Sequence, residues 1–164
     1  MRYSSIRQLD IANGPGCRAS LFVQGCSFHC PGCFNPGTQD FEGGSEFTKQ
    51  TKEAIFALAE PSHISGLSIL GGEPLHPRNR EEVIKLAREF KKKYPDKSIW
   101  LWTGYSIEDV FEDLVDSDID VVVDGKFMED LKDLRLKYRG SSNQRVIDLK
   151  ETIRTGDIII YEGT

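Results

Sequence analysis

Residues 19–34 read ASLFVQGCSFHCPGCF, and this stretch decides the fold. Its first five residues form an apolar run that is too short for a helix and that gives way to a glycine-punctuated loop. Such a run predicts a strand that is buried on both faces, as the strands of parallel sheets are. Three cysteines, Cys26, Cys30 and Cys33, follow the carboxyl end of this predicted strand.

Outward from this stretch, apolar runs of the same kind alternate with helical patterns. The further predicted strands cover residues 67–70, 99–103, 119–124 and 158–161. Between them, apolar side chains recur on one face of three predicted helices, which begin after Thr48, Asn79 and Ser106 as N-caps. Glu82, three residues after Asn79, completes a predicted capping box. This alternation predicts an α/β fold whose parallel strands gather functional loops at their carboxyl ends.

The length of the chain limits the architecture. A complete eight-unit barrel needs about 250 residues, whereas this chain has 164. No internal repeat, low-complexity tract or linker rich in proline and serine divides the sequence. We therefore expect one domain, residues 1–164, that forms a partial, open (β/α) barrel with parallel strands.

The composition argues against several classes of partner. A net charge of −5 at pH 7 gives no general attraction for phosphate backbones, so we do not expect nucleic acid as a primary partner. No stretch approaches the roughly 18 apolar residues that a membrane span needs. The N-terminus lacks the apolar run and cleavage site of a signal peptide. We expect a cytoplasmic protein without a membrane segment.

The three clustered cysteines predict a metal centre. Cysteine thiolates are the preferred ligands of iron–sulfur clusters and also bind zinc. Three thiolates occupy three corners of a four-iron cluster and leave the fourth iron free, so we predict that Cys26, Cys30 and Cys33 hold a [4Fe-4S] cluster. The alternatives are a structural zinc site completed by Cys17 or His29, and a disulfide, which a reducing cytosol disfavours. We expect Cys17 to be a lone thiol and His29 to be a loop side chain.

Further candidate residues follow the later strands. The second predicted strand ends Leu70-Gly71-Gly72-Glu73-Pro74, which places two glycines and a carboxylate at the rim that carries the cysteines. Glycines let a ligand approach the backbone, and Glu73 can accept hydrogen bonds from an ammonium group. The same string is also typical of a plain strand-to-loop turn. Thr103 and Asp124 end two later strands at this rim, although Asp124-Gly125 is equally typical of a tight turn that leaves Lys126 in solvent.

The string Cys26-x3-Cys30-x2-Cys33-Phe34 resembles the signature of the radical S-adenosylmethionine superfamily. The resemblance implies that S-adenosylmethionine binds the free iron through its amino and carboxylate groups and is cleaved reductively to a 5′-deoxyadenosyl radical. The expected fold is then the partial barrel of the radical S-adenosylmethionine type. With a further likeness to glycyl-radical activating enzymes, the resemblance implies cofactor contacts from Gly32, Cys33 and Phe34 at the adenine, Gly71, Gly72 and Glu73 at the amino group, and Thr103, Asp124 and Lys126 near the carboxylate.

Six segments resemble one family, the anaerobic ribonucleoside-triphosphate reductase activating proteins: residues 10–16, 24–26, 30–35, 71–77, 100–105 and 139–145. The likeness implies an enzyme that forms a glycyl radical on the large catalytic subunit of that reductase, with an electron donor such as a flavodoxin. The alternatives are a radical enzyme for pyruvate formate-lyase activation or deazapurine precursor synthesis, and a zinc-binding module without catalysis. Arg139, Asn143 and Arg145 contact the cofactor or the partner, or only shape a turn. Residues 150–164 receive no predicted role.

Overall fold

The computed structural model describes residues 1–163. Its strands are β1 (Arg2–Asp10), β2 (Cys17–Val23), β3 (Ser45–Glu46), β4 (Ile64–Gly71), β5 (Ser98–Trp102), β6 (Val121–Asp124) and β7 (Arg145–Asp148). Its α-helices are α1 (Lys49–Ala59), α2 (Arg80–Lys93), α3 (Ile107–Leu114) and α4 (Leu149–Thr155). Single 3₁₀ turns lie at Pro36–Thr38 and Glu129–Leu131. Within the described residues, no helix combines the length and the apolar character needed to cross a bilayer.

All the strands belong to one seven-stranded sheet in the order β3-β1-β2-β4-β5-β6-β7. The four central strands β2, β4, β5 and β6 are parallel, while β1, β3 and β7 run antiparallel to their neighbours at the two sides. Because β3 and β7 stand at opposite ends of the order, the sheet is not closed. The α/β class, the presence of parallel strands and the open sheet are confirmed, and the three outer strands add antiparallel pairing that was not predicted.

The predicted strand at residues 158–161 was also wrong. Only Ile160 forms a bridge, with Ile147 of β7, and the side chains of Ile158 and Ile160 are 38% and 53% exposed. The reason is that β7, whose four residues carry little pattern of their own, takes the place beside β6. The C-terminal segment is left on the outer side of β7, where its isoleucines cannot be buried on both faces.

The two faces of the sheet differ in what covers them. Side chains on one face, such as Leu21, Ile69, Leu101 and Val122, pack with all four α-helices in the main hydrophobic core. Because successive side chains of a strand alternate, the intervening residues point to the opposite face. We call this second surface the cavity face and define it by Phe22, Leu70 and Trp102, which line the cavity described below.

The amino-terminal half of the cavity face is filled by a buried arginine and aromatic rings. Arg18 is fully buried and donates to the carbonyl oxygens of Leu67 (3.0 Å) and Ser98 (2.8 Å) and to the hydroxyl of Ser68 (2.8 Å). Its neighbour Trp100 packs edge-on against Tyr138 and Tyr161, each with ring centroids 5.0 Å away. Burial lowers the pKa of Arg18 to about 10, so the guanidinium remains charged at neutral pH. This end of the sheet is therefore closed by protein.

The helices α1, α2 and α3 begin where they were predicted, but only one of the three predicted N-cap residues caps its helix through its side chain. Thr48 makes a reciprocal capping box with Thr51 at the start of α1. Asn79 and Ser106 precede α2 and α3 without capping them through their side chains. The predicted box with Glu82 was wrong, because this carboxylate instead pairs with the amino terminus of Met1 at 3.1 Å.

Candidate functional site

A cavity of about 540 Å³ opens at the carboxyl ends of the parallel strands. The cysteine loop that follows β2, the Gly71–Glu73 segment at the end of β4 and the Thr103 segment after β5 all line it. In open α/β sheets, ligands normally bind outside the carboxyl ends of the parallel strands. The structure therefore brings together residues as distant in the sequence as Cys26 and Thr103, as the parallel topology predicts.

The cysteine loop is held in place by backbone hydrogen bonds. The amide of Gly25 donates to Thr38 O at 2.7 Å, and the amide of Cys26 donates to Gln39 O at 3.1 Å. Gly25 has a φ of +104°, and a Cβ there would lie 2.2 Å from the Phe41 ring, so the position requires glycine. The loop thus leaves the strand in a defined direction that carries its cysteines over the cavity.

The three thiols meet at the cavity as free, half-buried groups. The cavity wall includes Cys26, Cys30 and Cys33. None of the three forms a disulfide in the structure, which disagrees with the disulfide alternative. Burial raises the pKa of the Cys26 thiol, and the nearby Glu73 raises it further. Burial also raises the pKa of Cys30, with a further increase from Cys33 and an opposing effect of Lys126. Thiolates crowded in this way call for a cationic centre to neutralise them.

The donor set fits a four-iron cluster. Three cysteines at one cavity supply three thiolates, which is the number that leaves one iron open. Among residues 1–163, no three histidine, cysteine or carboxylate side chains lie close enough together to hold one metal ion. A cluster does not require such convergence, because each thiolate binds a different iron. Cys26, Cys30 and Cys33 are the residues that would hold the cluster.

The two side chains considered as a fourth ligand lie elsewhere. Cys17 begins β2 and Cys26 lies beyond its end, so a seven-residue strand separates them. At about 3.3 Å per residue, that strand spans about 20 Å. The exposed His29 ring bonds Gln39 Oε1 through Nδ1 at 3.0 Å. Cys17 therefore lies far from the cavity thiols, and His29, although it precedes Cys30, is not among the residues that line the cavity.

The Gly71–Glu73 segment packs directly against the start of the cysteine loop. The amide of Gly72 donates to Val23 O at 2.9 Å, and that of Glu73 donates to Gly25 O at 2.8 Å. A Cβ on Gly72 would lie 2.5 Å from Gly25 O, so any larger residue would push the two loops apart. The two glycines thus position the cysteine loop and expose backbone to the cavity.

Glu73 is a buried carboxylate with three donors. It accepts from Thr103 Oγ1 at 2.6 Å, from the amide of Gly104 at 2.6 Å and from the amide of Leu75 at 2.9 Å. Burial raises the pKa of Glu73 to about 7, although these three hydrogen bonds act in the opposite direction. Glu73 therefore joins the ends of β4 and β5 and adds a titratable group to the cavity wall.

Three of the predicted cofactor residues do not line the cavity. Asp124 is 1% exposed and accepts from the amide of Ile107 at 2.8 Å, so it caps α3 in place of Ser106. It also pairs with Arg145. Lys126 is exposed, with its ammonium 4.9 Å from the centre of the Phe28 ring. Gly32 is exposed at the tip of the cysteine loop. The other predicted residues, Cys33, Phe34, Gly71, Gly72, Glu73 and Thr103, do line the cavity.

The connection between β6 and β7 forms a wall that the sequence patterns did not reveal. Phe127 packs against Phe34 with ring centroids 4.8 Å apart. A Cβ on Gly140 would lie 2.4 Å from the Phe34 ring, so this glycine allows the close approach. Trp102 Nε1 donates to Tyr138 O at 2.7 Å, and both residues line the cavity. The signal that points to this wall is the aromatic residue three positions after Asp124.

The Arg139–Arg145 segment holds this wall in shape. Gln144 Oε1 accepts from the amides of Gly140 (2.8 Å) and Ser141 (3.1 Å), and its Nε2 donates to Gly125 O at 2.9 Å. Asn143 donates to Lys126 O at 2.8 Å. Arg139 lines the cavity and donates to Gln144 O at 2.6 Å. Asn143 and Gln144 thus brace the β6–β7 connection, and of the segment's two arginines only Arg139 reaches the cavity wall.

Comparison with known proteins agrees with a cluster at this site. Residues 12–147 match the family described as "4Fe-4S single cluster domain". The chain is 43% identical over 146 residues to the anaerobic ribonucleoside-triphosphate reductase-activating protein of Enterobacteria phage T4, covering 89% of this chain and 93% of that protein. The proteins of the same name from Salmonella typhimurium and Escherichia coli K12 are 44% and 43% identical over 155 residues, covering 92% of this chain and 100% of each relative.

Proposed function

The chain belongs to the family of anaerobic ribonucleoside-triphosphate reductase-activating proteins and contains a 4Fe-4S domain, and from this premise we propose that it generates a glycyl radical on such a reductase. In this proposal it is a radical S-adenosylmethionine enzyme, and the large catalytic subunit of the reductase is its substrate. The observation that carries the proposal is the cavity at which three free thiols face the Gly71–Glu73 segment.

A cluster held by Cys26, Cys30 and Cys33 would supply the one electron needed to break the sulfur–carbon bond of S-adenosylmethionine, with methionine and a 5′-deoxyadenosyl radical as products. The residues of the chain bind and orient the cofactor. Gly71 and Gly72 present backbone to its amino group, and Glu73 offers a carboxylate beside them. Phe34, braced by Phe127, provides an aromatic surface for the adenine.

In the proposed reaction, a hydrogen atom would pass from a glycine Cα of the reductase to the 5′-deoxyadenosyl radical, which would leave 5′-deoxyadenosine and the glycyl radical. A glycine suits this reaction because it has no side chain to hinder access to its Cα. The cavity walls exclude water from the radical while the partner covers the opening.

Two further parts of the proposal concern the fold and the surroundings. Four parallel strands, helices on the opposite face and a cavity at the carboxyl ends support a partial barrel of the radical S-adenosylmethionine type. We also propose a low-potential electron donor such as a flavodoxin and a cytoplasmic location, where the four cysteines stay reduced.

The experiment combines the protein, reconstituted anaerobically with iron and sulfide, with S-adenosylmethionine, dithionite and the large subunit of the anaerobic reductase. We expect a glycyl radical doublet by electron paramagnetic resonance, together with 5′-deoxyadenosine. Formation of 5′-deoxyadenosine without the doublet would retain cofactor cleavage and refute the reductase as substrate, in favour of another radical reaction. Purified protein that carries zinc and takes up no iron would refute the cluster.

A further inference from the structure

The two outer edges of the sheet are protected to different extents. At the β7 edge, the C-terminal segment adds itself alongside: the amide of Asp148 donates to Ile159 O, and that of Tyr161 donates to Val146 O, both at 2.8 Å. At the other edge, β3 pairs with β1 only at Arg2 and Tyr3. Among the described residues, none pairs with the outer side of β1 over residues 4–9. This bare stretch leaves backbone donors and acceptors open to a partner.

Proteins commonly guard an edge strand with lysine, proline, a covering loop or a β-bulge. The bare edge has the last of these devices, since the register of β1 with β2 shifts between Tyr3 and Ser5 and between Arg7 and Asp10, but it lacks the others. Residues 4–9 contain neither lysine nor proline, and the one charged side chain there, Arg7, is stacked 4.7 Å above the Phe22 ring. Leu9 is 61% exposed, and Ile11 just beyond β1 is 77% exposed. An extended, partly apolar segment would find both backbone bonds and apolar contacts here.

The bare edge is continuous with the functional cavity. Arg7 and Phe22, together with Ala12 and Asn13 from the loop after β1, belong to the cavity lining. A strand added outside β1 would therefore lie next to the cavity opening. Because β3 occupies the edge at Tyr3, an added strand has to leave the edge at that level. Its continuation is then free to turn over the cavity face.

From this placement we propose that residues 4–9 of β1 bind, by strand addition, an extended segment of the reductase that flanks its radical-bearing glycine. This inference rests on the proposed function and identifies the surface through which the substrate protein is held. Pairing through main-chain bonds gives affinity without demanding side chains, which suits delivery of a glycine.

The test uses the reconstituted holoenzyme and the reductase large subunit. Hydrogen exchange followed by mass spectrometry should show slower exchange in peptides that cover residues 4–9 when the reductase is added. Leu9→Asp places a charge on the edge at an exposed position and should raise the reductase concentration for half-maximal glycyl radical formation by about tenfold or more. The matched control is Ile160→Asp, an exposed isoleucine at the opposite edge, which should leave that concentration unchanged.

The possible failures are separable. Unchanged exchange in residues 4–9 together with wild-type half-saturation in Leu9→Asp would overturn the edge proposal, while a wild-type radical signal would leave the proposed function intact. Absence of any radical from the wild-type pair would overturn the proposed function, and the exchange measurement would still test the edge. Protection of residues 4–9 in the concentrated holoenzyme alone, with dimers in sedimentation, would overturn the reductase as occupant in favour of a second copy.

Discussion

Replacing Asp124 by alanine separates a structural role of this carboxylate from the role in cofactor binding that the sequence predicted. The substitution removes the cap on α3, which is worth about 1 kcal/mol. It also removes charged hydrogen bonds to Arg145, worth about 2 kcal/mol, since Arg145 is only partly buried and keeps Glu108. We therefore expect the free energy of unfolding to fall by about 3 kcal/mol, which lowers the melting temperature by about 6–12 °C.

Glu108→Ala is the matched control, because Glu108 pairs with the same arginine from the surface. Its side chain is 55% exposed, so its loss should cost no more than about 1 kcal/mol. The assay is thermal and urea unfolding of both variants, alongside the dissociation constant of S-adenosylmethionine for the reconstituted proteins. If Asp124→Ala kept the wild-type stability but bound S-adenosylmethionine more weakly, the hypothesis that Asp124 only stabilises α3 and Arg145 would be refuted.

Three further predictions concern the cavity wall. Cys30→Ala should abolish cluster assembly and cleavage of S-adenosylmethionine, whereas Cys17→Ala should spare both; iron content and 5′-deoxyadenosine yield measure this, and loss of the cluster in Cys17→Ala would contradict the ligand assignment. Burial raises the pKa of Glu73 from 4.5 in the unfolded chain to about 7 in the folded protein. The contribution of Glu73 to the free energy of unfolding is therefore greatest below pH 4.5 and is lost as the pH rises through 7. Urea titrations at pH 5 and pH 8 should therefore show a decline of at most about 3 kcal/mol in the wild type and a smaller decline in Glu73→Gln; equal declines would exclude Glu73 as the cause. Asn79→Ala removes the side-chain donor to the carbonyl of Gln24, while the carbonyl of Glu73 keeps the amide of His76. The substitution should cost about 2 kcal/mol and speed iron loss to a chelator, and unchanged values would show that the Asn79 side chain is dispensable.

The central strands could be predicted because a strand that is buried on both faces is a nearly continuous run of apolar residues. β2, β4, β5 and β6 all lie at the predicted runs, and the cysteine loop follows β2 as expected. β1 could not be predicted in this way, because an edge strand that is exposed on much of its length needs few apolar residues; RYSSIRQLD shows no regular alternation. β7 was not predicted because it has only four residues. The apolar segment at residues 158–161, which lies beside β7, was predicted as the last strand of the sheet instead.

The candidate site could be predicted where backbone geometry requires particular residues. Gly71 and Gly72 stand where two strand ends come into contact, and sequence reasoning identified them through their glycine pattern. Asp124 shows the limit of such reasoning, because an acidic residue at a strand end looks the same whether it faces a ligand or caps the next helix. Phe127 was missed because its contact with Phe34 depends on the path of a long connection, for which the sequence carries no periodic signal.

Arg18 and the aromatic rings around it have a kinetic consequence for the proposed reaction. Since these side chains fill the amino-terminal half of the cavity face, small molecules and the reductase would share the opening at the carboxyl ends of the strands. In the proposed reaction, S-adenosylmethionine would then enter before the reductase docks, and 5′-deoxyadenosine and methionine would leave after the reductase departs. The reaction would follow a compulsory order, in which excess reductase added before S-adenosylmethionine slows the first turnover.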